Sequence, residues 1–352
     1  MRALDLTTPW ITVVGVVIGV ACALWHMVIP GFIDFQGYWF IGQNHFAQAY
    51  DQAFWASPEA KPWSPGPIPF PYPPPSFFLI RAMGLLPWRI AFCVWSGLQM
   101  GLFAFLASRM LGVFAMLPVL SLPALYSASI GQCGLFLTDL VLAAFMVMPG
   151  RPALGGALLA VAGCIKPQSL LAAPLVVWRN RPAIVAGVAV TLALCLLSLV
   201  FGPSLWIRWF EALPLFRKLL VLKSPLPPGL LFPFVGWQIA LAAVGIAYAM
   251  WERGLRGFVV GTLLASPYFQ FYDIAAVGVI GAGYIRAWWR SGNRRDAPMA
   301  AIGLFAIVCP MPALTLLGFC MAVIVSSLSS RRPFPAVGGM LADKLTPPGR
   351  DG

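Results

Sequence analysis

Carboxylates are scarce in this chain: only 11 of its 352 residues are acidic, and charged residues of both signs make up 10%. Ordinary soluble domains carry roughly 25%. With 60% hydrophobic residues and a mean hydropathy of +0.84, the composition excludes a soluble domain and describes an all-α, polytopic membrane protein. Histidine is nearly absent as well. His26 and His45 stand alone, and the seven cysteines fall almost all inside apolar runs without metal-ligand spacing. No metal centre and no disulfide framework is indicated. A basic patch interleaved with aromatics is also missing, so the net charge of +12 does not suggest a nucleic-acid partner.

The positive charges that are present punctuate the apolar runs. Arg2, Arg109, Arg151, Arg179/Arg181, Arg253/Arg256, Arg286/Arg290/Arg294/Arg295 and Arg331/Arg332 can all be placed on one side of the membrane. The positive-inside rule makes that side cytoplasmic, with both termini there. Residues 10–30 read as a retained first span, since the apolar run continues past the cleavage-like Ala21-Cys22-Ala23. Some excursions between arginines are too short for two ordinary spans of ~20 residues. Arg151 to Arg179 encloses 27 residues with Lys166-Pro167-Gln168 at the middle. Arg256 to Arg286 encloses 29 around Ser266-Pro267, and Arg295 to Arg331 encloses 35 around Pro310-Met311-Pro312. Each is expected to be a pair of short helices meeting at a proline-broken apex. One long tilted helix is the alternative.

About eleven or twelve membrane helices result, in a single domain over residues 1–332. Residues 333–352 read as a disordered cytoplasmic tail. Two outer loops are long, roughly 31–89 and 202–232, and Leu205 to Leu222 has the Trp, Leu and Arg mix of an interfacial helix.

The polar residues that interrupt apolar sequence all fall on the outer side of this scheme. Asp34, Gln36, Tyr38, Tyr50-Asp51, Gly131-Gln132, Lys166-Pro167-Gln168 and Tyr272-Asp273 would line one outward-facing cavity, with Tyr72 either lining it or bracing a rigid turn. Asp34 follows the first span directly. An ionisable group at a membrane boundary is costly and reads as functional, with hydration by headgroup water as the alternative. Lys166, central in its apolar stretch, needs either a carboxylate, with Asp139 or Asp273 as candidates, or a bound phosphate, which we favour.

The order of these residues resembles glycosyltransferase family 87. Asp34 follows the first span and Tyr50-Asp51 ends 17 residues further on. Tyr72-Pro73-Pro74 opens the next helix, Gly131-Gln132 makes a turn, Lys166-Pro167 follows a Gly/Ala-rich helix and Ser266-Pro267 precedes a late span. The resemblance covers roughly residues 30–290 and is most specific from Gly155-Gly156-Ala157 to Lys166-Pro167-Gln168-Ser169-Leu170. Two positions depart from the family pattern: Gly134 stands where many members have Asn, and Tyr272-Asp273 where the late motif often reaches His.

The resemblance implies a GT-C fold and inverting transfer of a sugar, a mannose-like hexose or a pentose, from a polyprenyl-phosphate donor to a lipid or glycan hydroxyl. It places the site on the extracytoplasmic face of a bacterial inner membrane. It also implies that Asp34 is the catalytic base. The chemistry needs one base and cations for a departing phosphate. Asp34 supplies the first. Lys166 and Arg208 supply the second, with Gln132 as a further, neutral phosphate ligand and Arg217 or Lys218 as helpers. No cofactor is demanded, although Asp34 and Asp51 could hold a divalent metal. The rival class is a lipid flippase or small-solute transporter, which also uses broken helices.

Overall fold

The protein's structure, a computed structural model, describes residues 7–28, 34–63, 69–223, 236–266, 275–308 and 313–330. Among these residues there are helices and no strand, as a chain that must satisfy its backbone within lipid requires. Three helices are long and apolar enough to cross a membrane: Thr7–Val28, Trp88–Val119 and Arg181–Phe201. Shorter apolar helices, such as Gly134–Val147, Pro152–Ile165 and Leu255–Ala265, pack between and around them.

Small residues decide where helices meet. Thr7–Val28 buries Ile11, Gly15, Gly19 and Ala23 along the Trp88–Leu111 helix, so one small stripe lets two backbones approach. The rest of its surface, including Trp10, Val17 and Trp25, is bare apolar side chain suited to lipid. The Arg181–Leu197 helix is barer still: Ala183 is its one buried residue, packed against Gly156 of Pro152–Ile165.

The helix pairs expected between arginines are found. Pro152–Ile165 stops at Lys166, a 3₁₀ turn covers Pro167–Leu170, and Ala173–Val177 leads back towards Arg179. Leu255–Ala265 and Ala275–Ser291 form the second pair, and Ala297–Val308 and Ala313–Ser330 the third. The Ser266-Pro267 apex is described only to Ser266. Pro310-Met311-Pro312 and the 333–352 tail lie outside the described residues.

The first outer loop is no open excursion. It folds into an aromatic layer in which Phe40 stacks on Phe54 and Trp63, and Phe46 packs on Phe77 and Phe201. Its polar ends are tied to backbone: Trp39 Nε1 donates to Leu86 O, Trp55 Nε1 to Ala49 O and Arg81 Nη1 to Gly42 O. Burial pushes the Tyr50 phenol up, which keeps it a neutral donor to Tyr72 O at 2.7 Å. The Ser204–Lys223 helix lies against this loop through Arg208 and Trp209, whose side chains donate to Ala47 O and Pro71 O.

Gly156 offers a direct test of this packing. A Cβ there would stand 2.0 Å from Ala183 O, whereas at Gly163 the nearest neighbour would be Leu170 Cδ1 at 3.4 Å. Gly156→Ala should therefore cost about 1–3 kcal/mol through overpacking. Its thermal midpoint in detergent should fall below that of Gly163→Ala, which should match the parent.

Candidate active site

The turn between Leu122–Ile130 and Gly134–Val147 is built by one glycine. Gly131 ends the first helix at φ +67°, the left-handed conformation that suits a residue without Cβ, and its N–H bonds Ser127 O. A Cβ would also strike Phe35 Cβ at 2.5 Å and the Phe92 ring at 2.9 Å. Phe35 and Phe92 stack at 5.3 Å, so the turn sits hard against the start of the Asp34–Gly42 helix. Several polar groups of the turn have partners within the fold. Trp95 Nε1 donates to Gly131 O, Ser96 Oγ to Ala128 O and Ser127 Oγ to Gln132 O, while Ser127 Oγ accepts from Leu135 N.

This close approach delivers Gln132, which is 4% exposed, to Asp34. Its Nε2 donates to Asp34 Oδ2 at 2.5 Å. Its Oε1 accepts from Tyr38 Oη at 2.7 Å, Tyr72 Oη at 3.1 Å and Cys133 N at 3.1 Å. The two phenol oxygens are 2.9 Å apart. The environment fixes the amide's orientation, since the carboxylate requires a donor and the phenols and amide N–H require an acceptor. Four residues from three separate parts of the sequence thus form one network, with Asp34 half-buried at its open end.

The structure therefore unites Asp34, Tyr38, Tyr72 and Gln132. Gln36 is half-buried two residues along from Asp34. Tyr126, absent from the residues expected at the site, lies close enough to feel the Asp34 charge. Its signal was an aromatic one turn before the Gly-Gln end of its helix.

Other expected members sit elsewhere. Asp51 is exposed and caps the short helix Gln52–Ala56, accepting from Ala53 N at 2.8 Å and Phe54 N at 3.4 Å. Helix capping, with its benefit of roughly 1 kcal/mol, accounts for that carboxylate. Arg208 is exposed, and its Nη1 holds Ala47 O at 2.8 Å, pinning the Ser204–Lys223 helix to the first loop. The helix itself includes Arg217 and Lys218, but their side chains lie outside the described residues, as do Tyr272 and Asp273.

Lys166 is 2% exposed at the break after Pro152–Ile165, and Gln168 is half-buried just beyond it. Asp139 is not its counter-ion, nor an interhelical partner of the kind its place in a span suggests. Both Asp139 carboxylate oxygens are buried without a hydrogen-bond partner. Beside the Lys166 break lies a cavity of about 490 Å³. Cys164, Pro167 and Leu170 line one part of it, Pro73 and Pro75 another, and Trp206 and Trp209 reach it from the Ser204–Lys223 helix. The segment that carries Tyr72 to Gln132 continues directly into the prolines of this cavity.

A family model described as glycosyltransferase family 87 matches residues 70–317, more than two thirds of the chain. That range contains Tyr72, Gln132 and Lys166. No curated protein and no solved structure matches the chain.

Gln132→Leu should strand two phenols and an amide N–H, at about 1–3 kcal/mol for each group left unsatisfied. Its thermal midpoint should fall further than that of Tyr38→Phe, which leaves Tyr72 on Gln132 Oε1. Equal midpoints for the two variants would mean that Gln132 does not organise the cluster.

Proposed function

The chain belongs to glycosyltransferase family 87, and from that premise we propose that it transfers a sugar from a polyprenyl-phosphate donor to a lipid or glycan hydroxyl, with inversion. Membership decides for a transferase over a transporter. The donor class is our inference, and it rests on the apolar cavity beside the Lys166-Pro167 break. A polyprenyl chain needs a wholly apolar channel, and its phosphate needs a cation where the channel ends. Lys166 lies between two lining residues of that cavity, Cys164 and Pro167, at a helix break, which puts a cation at the edge of an apolar channel.

In this reading Asp34 is the base. The acceptor oxygen attacks the anomeric carbon from the face opposite the phosphate, its proton passes to the Asp34 carboxylate, and the sugar–oxygen–phosphorus bond breaks on the sugar side. The phosphate departs as a stable anion, so no general acid is required, and Lys166 meets its charge. Gln132 is assigned to holding Asp34, because its amide N–H already donates there. Tyr38 and Tyr72 fix Gln132 in turn. Gln36 and Gln168, with Tyr272 and Asp273, are proposed to line the sugar and acceptor space. Asp51 and Arg208 are left as supports of the first loop.

The arginine pattern supports a site on the extracytoplasmic face of a bacterial inner membrane, with both termini inside. Mannose-like hexoses and pentoses are the sugars to test first.

Purified protein in nanodiscs, given labelled polyprenyl-phosphate sugars and a lipid extract, should transfer label. Asp34→Asn should reduce the rate about 10²–10⁴-fold, the range a general base contributes, while keeping the parent's thermal midpoint. Unchanged transfer by Asp34→Asn would remove it from catalysis.

A further inference from the structure

At the far end of the same helices lies a second depression of about 560 Å³, lined by Met148, Val176, Arg179, Arg181 and Arg253. The Gly134–Val147 helix separates it from the Asp34 cluster. It begins two residues after Gln132 and ends beside Met148, and its 14 residues span about 21 Å.

Three features of this place call for an anion. First, three exposed arginines line this depression, and no carboxylate lies within ion-pair distance of them among the described residues. The nearest acid in sequence, Glu252, is bound to Arg256 through Nε at 2.9 Å and Nη2 at 2.8 Å. Second, Arg179 and Arg253 share one aromatic ring, their guanidinium carbons 4.6 and 5.6 Å from the Trp178 centroid. Two like charges on one ring repel unless something negative joins them. Third, Arg253 is held at φ +51°, as the residue that ends Gly236–Glu252, with its N–H on Ala249 O. That position favours glycine, yet Gly254 is the next residue and Arg253 takes the strained place.

The surroundings say which anion. The Arg181–Leu197 helix rises from the depression with an apolar edge bare: Val185 and Ala189 are exposed and do not line the cavity beside Lys166. A phosphate seated among the arginines would therefore have its acyl chains beside an unoccupied hydrocarbon-facing surface. We propose that this depression binds the phosphate of an anionic phospholipid in the leaflet opposite the Asp34 site. Arg179, Arg181 and Arg253 hold the phosphate, and Trp178 keeps two of the guanidinium groups in place. The assignment is independent of the transferase reading.

Delipidated full-length protein would be titrated with phosphatidylglycerol, phosphatidylcholine and inorganic phosphate and followed by native mass spectrometry. The parent should take up one phosphatidylglycerol that Arg179→Gln/Arg253→Gln binds at least roughly tenfold more weakly. Arg290→Gln, an exposed arginine elsewhere, should bind it like the parent. Arg253→Gly separates binding from folding: it should raise the thermal midpoint by relieving the left-handed backbone, and still weaken lipid binding. Equal uptake by parent and double variant overturns the proposal. Uptake of inorganic phosphate as tight as that of phosphatidylglycerol also overturns it, in favour of a soluble phosphate ligand.

Discussion

The hydrogen bond from Gln132 to Asp34 is the contact around which this end of the protein is arranged. It exists only because Gly131 takes a left-handed turn with no side chain, which lets the turn close on Phe35 and Phe92. In a membrane protein such a turn has no bulk water to complete its hydrogen bonds, so each polar atom must find a partner inside the fold. Trp95, Ser96 and Ser127 do this for the backbone, and Tyr38 and Tyr72 do it for the Gln132 carbonyl. The aromatic layer of the first loop sets Tyr72 through Tyr50. Helix packing, loop folding and the placing of one carboxylate are thus parts of one constraint.

Much of this was legible in the sequence, for reasons particular to membranes. Asp34 stood out because acids are rare here and one at a span's end is costly. The Lys166 break was legible because 27 residues between arginines cannot make two full spans, and Pro167 marks where they fail. Gln132 was visible as a position but not as a hub. Its role depends on Tyr38 and Tyr72, which are 94 and 60 residues away, and no local pattern encodes that meeting. Asp51 and Arg208 drew attention by their charge, and the structure adds what no sequence pattern shows: the first caps a short helix and the second pins the Ser204–Lys223 helix to the first loop. Tyr126 was missed because an exposed tyrosine in an apolar helix resembles any other aromatic-belt residue.

The two ends of the bundle use polar residues differently. At the Asp34 end they are bonded to one another into a network with one carboxylate at its mouth. At the arginine end like charges converge on Trp178 without a protein counter-ion among the described residues. Between the two ends runs the apolar cavity beside Lys166, the feature that most favours a lipid-linked donor.

Whether Gln132 serves by positioning Asp34 is best decided by a double-mutant cycle on transfer rate, with Asp34→Asn, Gln132→Ala and the two combined. If Gln132 acts through Asp34, the double variant should be no slower than Asp34→Asn alone. Losses that multiply, with the double variant slower by the product of the two single effects, would show that Gln132 works independently of Asp34 and would contradict the proposed site.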